Sequence, residues 1–164
     1  MTHIEKGGKP MRIETKEYKI YEFDELSEAS KERVLTNLWY INVDYGWWEY
    51  IEEEAEEWGA TRFDFDVYKH GHMFLGVLEP AKFAENIVAN VGDQSLLYKP
   101  AKEFLDALDA GELEEEIGHE YMDDIELAFH ELLRREYKYL TSDEAIIETI
   151  KANGYEFLEN GKIY

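Results

Sequence analysis

Residues 103–133 read EFLDALDAGELEEEIGHEYMDDIELAFHELL. Twelve of these positions are acidic (Glu103, Asp106, Asp109, Glu112, Glu114, Glu115, Glu116, Glu120, Asp123, Asp124, Glu126 and Glu131), and none is Lys or Arg. In the second half Leu113, Ile117, Tyr121, Ile125, Ala128, Phe129 and Leu132 recur at spacings of mostly three and four, the period of a helix with one buried side. The pattern predicts a long helix that supplies both core and charge, with Gly111 breaking the line and Gly118 a weak point. Arg134, Arg135 and Lys138 close it with positive charge at the end the macrodipole favours. If residues 103–131 were one helix, twelve acids over about 42 Å would average one per roughly 3.5 Å of axis. That linear density is comparable with the phosphates of one DNA strand, about 3.4 Å apart.

Working back toward the N-terminus, Pro100 restarts a helical pattern with Phe104, Leu105 and Leu108. Pro80 suits the first turn of another, carrying Phe83, Ile87, Val88 and Val91 and ending at Gly92. Residues 63–67, FDFDV, alternate strictly, and Met73, Leu75 and Val77 recur at every second position, which together predict a hairpin. A three-residue loop of Lys69, His70 and Gly71, with Gly71 left-handed, would set Phe65 opposite Leu75 and Val67 opposite Met73. Residues 45–59 predict an amphipathic helix, with Trp47, Ile51, Ala55 and Trp58 inward and Gly59 as its C′ residue. Ser27 reads as the N-cap of an earlier helix that turns Val34, Leu35, Leu38 and Trp39 inward. Residues 12–23 mix β-branched, aromatic and charged side chains and read as a long edge strand guarded by Lys16 and Lys19. Residues 1–10 have no periodic apolar pattern and read as a flexible leader.

In the other direction, Thr141 with Glu144 is a capping-box signature for a helix through Ile146, Ile147 and Ile150 that ends at Asn153 and Gly154. Residues 155–164 read as a small hairpin turning at Asn160 and Gly161. The order lacks the regular strand-helix alternation of a doubly wound fold. The expectation is therefore α+β: a helix-rich single domain over residues 11–164 with a small, mainly antiparallel sheet.

A chain of 164 residues is long enough to bury a sizeable core. Its formal charge of −21, from 38 acids against 17 bases, argues against direct binding to nucleic acid or to an anionic membrane and makes a basic partner the natural complement. There is no cysteine, so disulfides and thiolate catalysis are excluded. No signal-like or membrane-spanning apolar run is present, and the expectation is an intracellular protein.

Several groups of residues invite a functional reading. On a helix, Glu112, Glu116, His119, Asp123, Glu126 and His130 share the side away from Leu113, Ile117 and Ile125. Glu116 and His119 have the Glu-x-x-His spacing of di-iron bundles, but those need two such pairs and two more Glu, and a solvated helix face explains the spacing as well. Asp64 and Asp66 project to one face of a strand, with His72 near across the turn; the plainer reading is the wet side of an amphipathic hairpin. Phosphate-binding loops, nucleophile elbows and zinc-protease motifs are absent, and no cofactor is expected. The aromatic run Trp39, Tyr40, Tyr45, Trp47, Trp48 and Tyr50 cannot all be buried by one helical face, so Trp48, Tyr45 or Tyr50 is expected at the surface.

Residues 21–31 (YEFDELSEASK), 41–45 (INVDY), Trp47-Trp48, 63–66 (FDFD), 137–150 (YKYLTSDEAIIETI) and 155–157 (YEF) together resemble a group of small acidic proteins encoded by bacteriophages and prophages. The resemblance runs through most of the chain from Met11 and departs over residues 79–120. It implies a phage gene acting in the cytoplasm of a bacterial host, and it carries over no catalytic or binding residue. Charge and resemblance lead to one expectation: an acidic protein that binds a basic surface on a host protein and blocks a nucleic-acid-handling defence factor, as an anti-CRISPR or related inhibitor. The expected contact set is Trp48, Glu49, Glu52, Glu53 and Glu56 with Glu112, Glu115, Glu116, Glu120 and Asp123. Two other readings stay open: a metal-dependent enzyme or nucleotide-binding protein centred on Asp64, Asp66 and His72 or on Glu116 and His119, and a phage structural component. A homodimer is compatible with all of them.

Overall fold

The computed structural model describes residues 11–68, 70–112 and 115–164, with the side chains of residues 115–118 outside that description. The expected leader, residues 1–10, lies outside the described residues. Among the described residues, six α-helices and two small two-stranded antiparallel sheets make a helix-rich α+β domain. In order these are β1 (Ile20–Tyr21), α1 (Glu28–Asn37), α2 (Glu49–Trp58), β2 (Ala60–Phe65), β3 (Met73–Val77), α3 (Pro80–Asn90), α4 (Tyr98–Asp109), α5 (Glu115–Leu140), α6 (Asp143–Ala152) and β4 (Phe157–Leu158). The strands pair as β2 with β3 and β1 with β4, in two separate sheets.

The acidic stretch is divided where its glycine falls. Gly111 takes φ +69°, a left-handed conformation that an α-helix does not contain, and α4 ends before it while α5 starts after it. The two helices fold against each other, with Phe104 and Tyr121 ring centroids 6.0 Å apart. Residues 103–131 are therefore not one continuous helix.

The larger core gathers α2, the β2–β3 hairpin, α3, α4 and α5. Ile51, Phe83, Ile87, Ile125, Phe129 and Leu133 are almost wholly buried in it. Phe129 is its hub, with Phe83 stacked at 6.2 Å and Phe63 edge-on at 6.1 Å. A second core joins Phe23, Leu26, Val34, Ile146, Ile150 and Phe157 from α1, α6 and the terminal strands. Asn42, 6% exposed, sits between α5 and α6: its Nδ2 donates to the Leu140 carbonyl at 3.0 Å and its Oδ1 accepts from the Thr149 hydroxyl at 2.7 Å.

Four local expectations are corrected. The long edge strand over residues 12–23 shrinks to Ile20–Tyr21, because β4 offers only Phe157 and Leu158 as partners and residues 11–19 remain exposed. The hairpin register differs by two residues from the expected one: Phe65 faces Met73 and Phe63 faces Leu75. Asp66 explains this, since its Oδ1 accepts from the Tyr68 N–H at 2.8 Å and its own N–H donates to the His72 carbonyl, starting the turn earlier. A shift of two leaves every side chain on its expected face, and Gly71 is not left-handed. The cap of α6 is Ser142, not Thr141: Ser142 Oγ accepts from the Ala145 N–H, while the Thr141 hydroxyl turns back to the Tyr137 carbonyl at 2.8 Å. Finally Trp39, expected inside, lies beyond the end of α1 at Asn37 and is 49% exposed.

Candidate binding surface

Among the described residues, helix α2 presents an anionic surface without ion pairs to Lys or Arg. Its apolar positions Ile51, Ala55 and Trp58 are buried at four- and three-residue intervals, which forces Glu49, Glu53, Glu56 and Glu57 outward and leaves Glu52 half-buried. Among the described residues none of these carboxylates lies within ion-pair distance of a Lys or Arg. Gly59, at φ +118°, ends the helix, and no basic residue occupies its last turn. Glu56 and Glu57 therefore stand at the end of α2 where the macrodipole disfavours negative charge.

The acids of the opening stretch are arranged differently. On α4, Glu103 and Asp106 pair with Lys99 and Lys102 one turn earlier, and on α5 Glu131 is bonded by Arg135 at 2.8 Å. That guanidinium hydrogen bond holds the Glu131 carboxyl below its ordinary range. Glu112, Glu120 and Asp123 are exposed, with no such partner among the described residues; the side chains of Glu115 and Glu116 lie outside the described residues. Helix α2 packs on α3, α3 on α4 and α4 on α5. Of the expected contact set, Trp48, Glu49, Glu52, Glu53 and Glu56 thus lie on or beside α2, Glu112 follows α4, and Glu120 and Asp123 lie on α5.

Two residues read as part of the wet face of α5 are engaged instead. Glu126 Oε1 accepts the Leu75 N–H at 2.8 Å, and His130 Nε2 lies 2.8 Å from the Asp66 carbonyl. Spaced by four, they dock β3 and the start of the hairpin turn onto α5.

The hairpin, the loop after α1 and the end of α5 border a shallow, open cleft of about 690 Å³. Trp39, Tyr40, Trp47, Trp48, Phe65, Tyr68 and Tyr137 supply its walls, and Asp64, Asp66 and His72 supply its polar groups. Trp48, half-buried, meets Trp47 at 5.8 Å and Phe65 at 5.7 Å, both edge-on. Tyr68 and Tyr137 meet at 6.3 Å, and burial, followed by the neighbouring Tyr68, pushes the Tyr137 phenol up. Outside this cleft Tyr45 and Tyr50 are exposed, as the aromatic run predicts. Burial and then the Glu136 carboxylate push the Tyr50 phenol up to about 12.

Among the described residues Asp64, Asp66 and His72 do not assemble into a trio placed to hold a metal ion. Asp64 Oδ2 is 3.2 Å from Arg62 Nη2, Asp64 Oδ1 is 3.9 Å from His72 Nε2, and Asp66 Oδ1 is held by the Tyr68 N–H. His119 is exposed and the side chain of its proposed partner Glu116 lies outside the described residues. Among the described residues no group of three His, Asp or Glu is placed to hold a metal ion.

No family model, curated protein or solved structure matches this chain. Among the described residues no helix is long and apolar enough to cross a membrane.

Sequence reading missed the cleft because its walls come from three distant stretches, residues 39–48, 63–72 and 137. The Trp47-Trp48 pair was its one local signal: adjacent helix-entry positions point about 100° apart, so one ring enters the core and its neighbour must find another contact.

Proposed function

We propose that this protein is an acidic binding protein that occupies a basic surface on a host protein, with α2 as its principal contact. The observation that carries this reading is the row of exposed, unpaired carboxylates Glu49, Glu53, Glu56 and Glu57 among the described residues. The charges at its C-terminal end oppose the helix dipole, so α2 gains nothing from them locally; a cationic partner would compensate them. The cleft beside α2 supplies rings of the kind that anchor protein interfaces.

The finer reading is a phage-encoded inhibitor of a nucleic-acid-handling defence protein in the host cytoplasm, the anti-CRISPR class being one concrete form. It is supported by the resemblance of residues 21–31, 41–45, 47–48, 63–66, 137–150 and 155–157 to small acidic phage proteins, and by the charge of −21, which suits a groove built for phosphates. With Gly111 dividing the acids of α4 from those of α5, the fit to such a groove would come from patches, not from a continuous phosphate-like line.

The test is affinity capture from bacterial lysate with the native chain and with Glu49→Lys, Glu53→Lys, Glu56→Lys and Glu57→Lys combined. The native chain should retain a basic protein at low salt and release it near 0.5 M, where the Debye length falls to roughly 4 Å. The reversed chain should retain none. Equal capture by both chains, or capture indifferent to salt, would rule out the electrostatic mode.

A further inference from the structure

We infer that the aromatic cleft receives a guanidinium group, the side chain of an arginine in a basic segment of the partner. This deepens the reading above by naming the group the surface takes, and it rests on that reading for the partner's charge. The cleft is made of rings that do not stack on one another: Trp39 meets Tyr40 at 80° and Trp47 meets Trp48 at 86°. Trp39, Tyr40 and Tyr68 each keep more than two fifths of their surface exposed. Exposed ring faces carry the negative lobe of the aromatic quadrupole, which attracts cations.

Formal charge points the same way. Asp64 and Asp66 both line the cleft, and among its described lining residues there is no Lys or Arg. Asp64 is already partnered by Arg62, while among the described residues Asp66 has no ion-pair partner and can meet an incoming cation, with one oxygen fixed by the Tyr68 N–H. An anion would meet both carboxylates and the field of a chain of charge −21. A wholly apolar ligand would strip water from Asp66 without replacing its hydrogen bonds.

The choice of guanidinium over ammonium comes from the same hairpin. Arg62 lies with Cζ 4.8 Å over the Phe74 ring while its Nη2 reaches Asp64 at 3.2 Å. Ring face on one side and carboxylate at the edge is the arrangement that a planar guanidinium satisfies, because it stacks and hydrogen-bonds at once. The cleft offers these two elements again, with Trp39 and Tyr68 as rings and Asp66 as carboxylate.

The chain has four tryptophans, so its indole N–H signals give a direct readout in a nitrogen-15 correlation spectrum. Trp39 and Trp48 line the cleft, whereas Trp58 is buried in the larger core away from it and serves as the internal reference. Titration with acetylated tri-arginine amide should move the Trp39 and Trp48 signals saturably and leave Trp58 in place. The tri-citrulline peptide, equal in shape but neutral, should move neither. Trp39→Leu removes an exposed ring, and Asp66→Asn keeps the oxygen that accepts from Tyr68; each should weaken tri-arginine binding by about five-fold or more. The fourfold α2 reversal should leave the saturable shifts present, which separates the cleft from the α2 surface. Equal shifts with citrulline, no saturable shift at millimolar peptide, or unchanged binding in both cleft variants would overturn the inference. If those variants lose the peptide while α2 reversal leaves protein capture intact, the inference stands and the α2 reading fails.

Discussion

The Thr149 hydroxyl donates a 2.7 Å hydrogen bond to the side-chain oxygen of Asn42, more than a hundred residues away in sequence, and through it α6 is tied to the loop that leads into α2. The other end of the same amide donates to the Leu140 carbonyl at the end of α5, so one buried side chain satisfies the joint between the two hydrophobic cores. Asn42→Leu should therefore leave both the Leu140 carbonyl and the Thr149 hydroxyl without a partner and lower stability by ~2–4 kcal/mol. Thr149→Val, which removes one bond, should lower it by ~1 kcal/mol. Urea unfolding checks both, and equal effects of the two variants would contradict the bridging role of Asn42.

Gly161 has φ +82°, and a Cβ there would stand 2.9 Å from the Ser30 carbonyl oxygen of α1. Backbone conformation and space both exclude a side chain, because the terminal turn is pressed against α1 by the bond from Ser30 Oγ to the Glu159 carbonyl. Gly161→Ala should cost ~1–3 kcal/mol in thermal unfolding. Gly92, with nothing near its hypothetical Cβ and no positive φ, is the control and should tolerate alanine within about 0.5 kcal/mol.

Glu126 holds the Leu75 N–H at 2.8 Å across the free edge of β3. Glu126→Ala should speed hydrogen exchange at the Leu75 amide and destabilise the chain by ~1–2 kcal/mol. Glu126→Gln, which keeps an acceptor oxygen, should restore most of the protection. If exchange at Leu75 is indifferent to both changes, the docking contact does not hold the hairpin.

At high pH Tyr50 should be among the last phenols to ionise. Burial raises its pKa first and the Glu136 carboxylate second, to about 12 against the ordinary 10. Because the folded value lies above the unfolded one, its contribution to stability is intact below pH 10 and is lost as pH climbs through about 12. Tyr50 is half exposed, so solvent screening keeps that contribution small. Difference absorbance near 295 nm between the native chain and Tyr50→Phe isolates this titration. Glu136→Gln should move it down without returning it fully to 10, since the burial component remains.

Reversing Glu56 and Glu57 to Lys should raise thermal stability slightly, by ~0.3–1 kcal/mol, because each new charge then suits the C-terminal end of α2. The same pair of changes should weaken capture of a basic partner. A variant that is more stable and binds less would show that α2 keeps these charges at a local cost. A variant that is less stable and binds as before would reject that placement argument.

The elements that periodicity and termination signals define are legible in the sequence. Trp47, Ile51, Ala55 and Trp58 with Gly59 gave α2, Pro80 with Phe83 and Ile87 gave α3, and Gly111 marked the division between α4 and α5. These signals act within one or two turns, where backbone geometry and the requirement to bury one face leave few alternatives. The outward turn of the α2 carboxylates follows from the same constraint.

What only the tertiary structure decided is which separate elements meet. No local pattern states that Phe157 pairs with Tyr21, that Glu126 caps an edge of β3, or that Trp39 and Tyr68 stand around one cleft. Such contacts depend on packing between segments far apart in the chain. A carboxylate at a given helical angle reads the same whether water, an arginine or a backbone N–H comes to lie beside it; the neighbour is set by the fold as a whole.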